Sequence, residues 1–227
     1  MPLPRKRSSV HLSVRMSDSN LEAIYTSLYD FFGPQHWWPG NTPLEIAVGA
    51  ILTQNTNWTN VEIAIRALKK NRLLSARALS AISATRLALL IRPAGYYNIK
   101  AQRLKNFIGF LVREYRGSMD LLAREDIQTI RKKLLSVNGI GPETADSIIL
   151  YALNRPVFVI DAYTKRIFSR HGILSHDLSY DACQHLFHTG LMHNVQLFNE
   201  YHALLVRLAK DFCRTTPQCN GCPLEGV

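Results

Sequence analysis

Apolar residues recur along this chain mostly at helical spacing. Leu21, Ile24, Tyr25, Leu28, Tyr29 and Phe32 fall at three- and four-residue steps behind the polar triplet Ser17-Asp18-Ser19, the stripe a helix needs to bury one face. Thr42-Pro43-Leu44-Glu45 reads as a capping box with proline at the first helical position, opening a helix through Ile46, Ala47 and Leu52. Further helices are predicted over 60–70, 75–82, 84–92, 98–115, 126–136, 143–153, 162–171, 180–190 and 197–212. Only Val157-Phe158-Val159-Ile160 has strand character. It is too short and isolated to build a sheet, so it is expected to be a buried connection, and the fold class is all-α. The polar, basic segment 1–16 lacks periodicity and is expected to be a disordered arm, with Met16 an alternative start. There is no internal repeat and no low-complexity tract.

Composition narrows the class. The chain has 227 residues, 47% of them apolar and 19% charged, enough for a full core. No apolar run approaches the ~20 residues of a bilayer span. The start carries Arg5, Lys6, Arg7 and Arg15 without an apolar stretch behind them, so no secretory signal is visible. A cytosolic or nucleoid-associated monomer is expected, with no membrane partner. The charge of +10 comes from 27 Lys and Arg against 17 Asp and Glu, and it is unevenly placed. From Ile63 to Arg113 there are eleven cations and no acid. Such a field attracts polyanions such as DNA, although charge alone fits a solvated basic face equally well.

The segment Leu134 to Ala145 joins two helical patterns through Val137-Asn138-Gly139-Ile140-Gly141. Gly139 and Gly141 permit positive φ and close approach, Ile140 can anchor the turn, and the helix from Pro142 points free N–H groups outward, where a phosphate oxygen fits. An ordinary helical hairpin would share these features. Arg131, Lys132 and Lys133 before the turn favour DNA. Downstream, Asp161 follows the apolar run at the start of a helix. It can serve as an N-cap and, in that fixed orientation, as an ionised carboxylate.

The hairpin Val137–Ala145, Asp161 eighteen residues beyond Glu143, and the C-terminal cysteines together resemble the helix-hairpin-helix DNA glycosylase superfamily, endonuclease III branch. The resemblance implies two helical domains flanking a DNA-binding cleft. One would be a six-helix barrel over 42–155, with the hairpin at 134–145. The other would combine 17–41 with 156–212 and carry Asp161. A cysteine-rich loop would occupy 213–227. It further implies base-excision repair of double-stranded DNA. Asp161 would be catalytic, Gln54 would fill the gap left by a flipped base, and Val137, Gly139, Ile140, Gly141, Thr144, Lys132 and Lys133 would meet DNA. Bifunctional members carry a lysine after the hairpin whose amine attacks the sugar. Here that position is Glu143, which cannot form an imine, so a monofunctional enzyme is expected.

His36-Trp37-Trp38-Pro39-Gly40, with Trp58 four residues beyond Gln54, resembles the 3-methyladenine glycosylases of this branch, where aromatics sandwich the flipped base. Indole faces attract a cationic alkylated purine. Packing between the domains would explain the same tryptophans, and oxidised pyrimidines are the competing substrates. A non-catalytic DNA-binding module is a reading of another class. Lys210 is placed with this pocket or on the surface. Cys213, Cys219 and Cys222 are separated by five and two residues, against the family's six, two and five for a [4Fe–4S] cluster. The fourth cysteine would fall just past Val227, so either the sequence is truncated there, or the fourth ligand is not cysteine, or no cluster forms; the clustered cysteines favour a metal, with a structural [4Fe–4S] cluster expected ahead of zinc. His185, His188, His193 and His202 match no zinc spacing and are assigned to solvated helix faces.

Overall fold

The computed structural model describes residues 18–37 and 40–226. The basic arm and Trp38 lie outside the described residues. Among those described, the chain forms twelve α-helices and no strand. In order they are α1 (Asp18–Phe32), α2 (Pro43–Leu52), α3 (Trp58–Lys70), α4 (Ala76–Ala81), α5 (Ala84–Leu90), α6 (Tyr97–Tyr115), α7 (Met119–Leu122), α8 (Ile127–Leu135), α9 (Pro142–Ser147), α10 (Ala162–Arg170), α11 (Tyr180–Gly190) and α12 (Val195–Asp211). Arg92–Ala94 adds a 3₁₀ turn, and Ile148–Ala152 continues α9 as a π turn. The short α7, capped by Ser118, carries no periodicity and escaped the sequence pattern.

Local chemistry starts most of these helices. Thr42 Oγ1 accepts from Glu45 N, and the Glu45 carboxylate returns to Asn41 N and pairs with Lys69 at 2.6 Å. Asn57, Ser75, Ser83, Asp126, Asp161, Ser179 and Asn194 cap their helices through the side chain in the same way.

Two hydrophobic cores result. The first gathers α2 to α9 around Ile51, Leu68, Phe107, Leu111 and Leu134. The second packs α1 with α10, α11 and α12 around Leu28, Phe158, Phe168, Phe187 and Tyr201. The chain crosses between them at the π turn, where Ile148 and Ile149 face the first core but Leu150 and Tyr151 the second. The strand-like run crosses again, with Val157 in the first core and Phe158, Val159 and Ile160 in the second. An extended segment buried without strand partners must find other hydrogen bonds. Helix α11 supplies them: Phe158 N donates to His188 Nε2 at 2.9 Å, Gln184 Nε2 donates to Phe158 O at 2.6 Å, and Ile160 N donates to Tyr180 Oη at 3.3 Å. This clamp delivers Asp161 to the seam between the cores.

Candidate active site

A cavity of about 130 Å³ opens at that seam. Trp37, packed on the second core, and Trp58, packed on the first, line it together with Gln54, Glu143, Thr144, Asp161, His202 and Lys210. Residues scattered across the sequence are thus brought to one place. Lys210 Nζ stands 5.8 Å from the Trp37 ring centroid, and Trp58 Nε1 donates to Glu62 at 2.8 Å, which fixes the indole plane.

Asp161 caps α10. Its Oδ1 accepts from Thr164 N at 2.7 Å and from Thr164 Oγ1 at 2.8 Å. Burial pushes its carboxyl upward, but His202 and Thr164 more than offset this, so Asp161 stays below the usual carboxylate range. Glu143 behaves oppositely. Its side chain still reaches solvent, yet the cavity wall desolvates the carboxyl and Asp161 lies nearby, and the two effects raise its pKa to about 7.

The hairpin is tied to this cavity by Gln54. Its Nε2 donates to Gly139 O at 3.2 Å and to Thr144 Oγ1 at 2.8 Å, and its Oε1 accepts from Arg103. Arg103 was not singled out in the sequence, yet it explains Gly139. At φ +95, a Cβ on Gly139 would stand 2.3 Å from Arg103 Cγ. Gly141 differs from expectation: it is extended, at φ −94 and ψ 178, with open space where a Cβ would be. It caps α9 without a side chain, which leaves the first N–H groups uncapped. Val137 and Ile140 are buried anchors. Lys100, also buried, donates to Leu52 O at 2.9 Å and Ala94 O at 2.7 Å, pinning the end of α2 just before Gln54. Desolvation, helped by Arg103, lowers its pKa to about 8.

The basic residues divide. Lys132 is exposed. Lys133 is committed to Glu125 at 2.7 Å and Tyr115 at 2.9 Å. Arg131 turns inward to Asp146, which is fully buried, and reaches Asp181 at 2.7 Å. From the acid-free segment, Lys100 and Lys105 are spent on backbone carbonyls, so that segment is not uniformly a surface field.

Two histidines assigned to solvated faces are corrected. His202 is buried and faces Asp161 Oδ2 at 3.6 Å, and His188 receives Phe158 N, with burial lowering its pKa to about 4. His202 could have been found: it lies on the stripe of Phe198, Leu205 and Ala209 along α12. Tyr151, which bonds His202 Nδ1, carries no local signal at all.

Cys213, Cys219 and Cys222 line one separate cavity, and Arg170 donates to Cys213 Sγ at 3.3 Å. No three His, Cys, Asp or Glu groups among the described residues converge on a point that could hold a metal ion. No helix among the described residues is long and apolar enough to cross a membrane.

Comparison with known proteins agrees with this geometry. The family model described as HhH-GPD superfamily base excision DNA repair protein matches residues 48–191. A putative DNA repair glycosylase of Methanocaldococcus jannaschii is 48% identical over 204 residues, covering 89% of this chain and 92% of the relative. Endonuclease III of Sulfolobus acidocaldarius is 32% identical over 135 residues, 60% of this chain and 58% of its own. Among solved structures, the H. pylori 3-methyladenine DNA glycosylase bound to 1,N6-ethenoadenine superposes with a TM-score of 0.74 at 28% identity, over 86% of this chain and 98% of that one. A non-covalent endonuclease III–DNA complex shares the fold, with a TM-score of 0.78 at 20% identity over 92% and 94%.

Proposed function

The chain belongs to the HhH-GPD superfamily of base excision DNA repair proteins, and within that family we propose a monofunctional glycosylase that releases alkylated purines such as 3-methyladenine. The observation that carries this reading is the meeting of Glu143, Asp161, Trp37 and Trp58 in one cavity. The hairpin backbone, with Lys132, holds the phosphates of duplex DNA and sets register without reading sequence. The damaged base swings out of the stack, at a cost of a few kcal/mol that is least for a damaged base. Gln54 fills the gap, exchanging its bonds to the hairpin for contacts with the duplex. The cationic purine enters between Trp37 and Trp58, whose indole faces attract it.

Bond cleavage leaves positive charge on the deoxyribose, which the ionised Asp161 stabilises. The C1′–N bond breaks with its electron pair going to the purine, whose own positive charge makes it a neutral leaving group. Water then bonds to C1′ and gives its proton to Glu143, whose pKa of about 7 suits a base at neutral pH. Glu143 occupies the hairpin position where the lyase lysine would form an imine, so an abasic site remains. The H. pylori relative, with ethenoadenine in its structure, supports the substrate class. Mass identification of bases released from methylated DNA and from DNA containing thymine glycol tests it. Release of the methylated purine is expected, while release of thymine glycol alone, or a borohydride-trapped protein–DNA adduct, would overturn it.

A further inference from the structure

Asp161 is held unevenly. Thr164 fills one oxygen with two donors, at 2.7 and 2.8 Å. The other oxygen faces His202 Nε2 at 3.6 Å. His202 is 5% exposed, and Nε2 has no hydrogen-bond partner among the described residues. A buried donor left so is unfavourable, and such a group is kept where it serves a site. On the far side of the ring, Nδ1 bonds the Tyr151 hydroxyl, and Trp37 lies beside that hydroxyl.

These contacts fix a direction. The Asp161 oxygen opposite Nε2 can only accept, which places the imidazole proton on Nε2 and leaves Nδ1 bare to take the phenol proton. We propose that His202 is a positioning residue for Asp161, its tautomer held by Tyr151, so that the wall against which the base stacks is linked to the catalytic carboxylate. The proposal rests on the glycosylase reading above for its kinetic consequence, but the tautomer stands apart from it. The 3.6 Å gap is longer than a hydrogen bond, and closure around a substrate would tighten it, as apo geometries commonly allow. Burial acts against an ionised Asp161, and a donor at Oδ2 opposes that effect. The titratable groups facing Asp161 are Glu143 from α9, Tyr151 from the π turn, Tyr163 from its own helix, and His202 and Lys210 from α12.

Asparagine and glutamine separate this role from mere filling, because the Gln amide nitrogen falls near Nε2 and the Asn nitrogen near Nδ1. His202→Asn and Tyr151→Phe are expected to lower kcat at least about tenfold with KM little changed and, in a Glu143→Gln background that lacks the limb near pH 7, to move the remaining acid limb of the kcat profile up by about one pH unit. His202→Gln should recover most of the loss. Equal losses in the Asn and Gln variants, or an unmoved acid limb, would overturn the proposal. Nitrogen-15 NMR of the imidazole in the full chain reads the tautomer without activity: a bare Nδ1 and a protonated Nε2 are expected, with the assignment lost in Tyr151→Phe. A protonated Nδ1 in the unaltered protein refutes the proposal even if the glycosylase reading holds. Failure of the unaltered protein to release any base, with the expected tautomer present, counts against the glycosylase reading alone.

Discussion

The helix starts at Pro142 and at Ala162 bring one carboxyl each to the same cavity, on opposite terms. Asp161 caps its own helix, accepts two bonds from Thr164 and faces a buried histidine, so the fold favours its charge. Glu143 stands just past an uncapped glycine turn, with desolvation and Asp161 both working against its charge. Two residues of nearly identical chemistry are therefore pushed apart, one ionised throughout the neutral range and the other titrating within it. That separation is how a site obtains an electrostatic stabiliser and a proton acceptor from two carboxylic acids. In the proposed mechanism, the position where bifunctional members of the family carry a lysine handles a proton instead.

The largest expected effect comes from neutralising the favoured member. Asp161→Asn retains an N-cap side chain, so the melting temperature should hardly move, while base release falls about 10²–10⁴-fold with DNA affinity kept. If the rate survived this change, the comparison would lose its catalytic meaning.

Changing the disfavoured member should cost less and alter the kind of reaction. Glu143→Gln is expected to slow release about ten- to a hundredfold near pH 8 and to remove the rise in rate that the unaltered protein shows through pH 7. The sign follows from its role as base: only the ionised form accepts the proton, so activity grows as pH passes its pKa. Glu143→Lys should in turn yield an adduct trapped by borohydride, and none is expected from the parent protein. A pH profile falling through 7 would make Glu143 an acid instead.

How far this pair was legible beforehand depends on the range of the contacts. The helices were visible because their apolar stripes repeat locally, and Asp161 as a cap because capping is read within four residues. Its histidine partner was not, since His202 lies forty-one positions away and its inward face shows only as one polar residue on the stripe of α12. The clamp of α11 on Phe158 and Ile160 was hidden for the same reason: side chain to backbone bonds across 20 to 30 residues leave no periodic trace. Lys133 was expected to meet DNA, and Arg131 counted toward a basic run favouring DNA, because charge is visible in sequence and its partner in the fold is not.

A smaller effect probes what holds the Glu143 helix start in place. Gly139→Ala must tolerate φ +95 and displace the stem of Arg103, which otherwise holds Gln54. Chemical denaturation should show a loss of about 1–2 kcal/mol, with weaker duplex binding and no change at the Asp161 helix.

The smallest effect reads the comparison from stability alone. A carboxyl whose folded pKa lies near 7, against an ordinary value of 4.5, binds its proton more tightly in the folded chain. Its contribution is complete below pH 4.5 and is lost as pH rises through 7. Asp161 runs the other way, contributing above its ordinary value and losing that contribution only as acid protonates it. Glu143→Gln removes the first slope and leaves the second. The variant should match the parent near pH 5 and exceed it at pH 8 by about 1 kcal/mol or less, since the Glu143 side chain remains open to screening solvent. Urea midpoints at the two pH values decide it: a variant less stable at pH 8 than at pH 5, relative to its parent, would mean that the fold welcomes the Glu143 charge after all, and the contrast between the two helix starts would disappear.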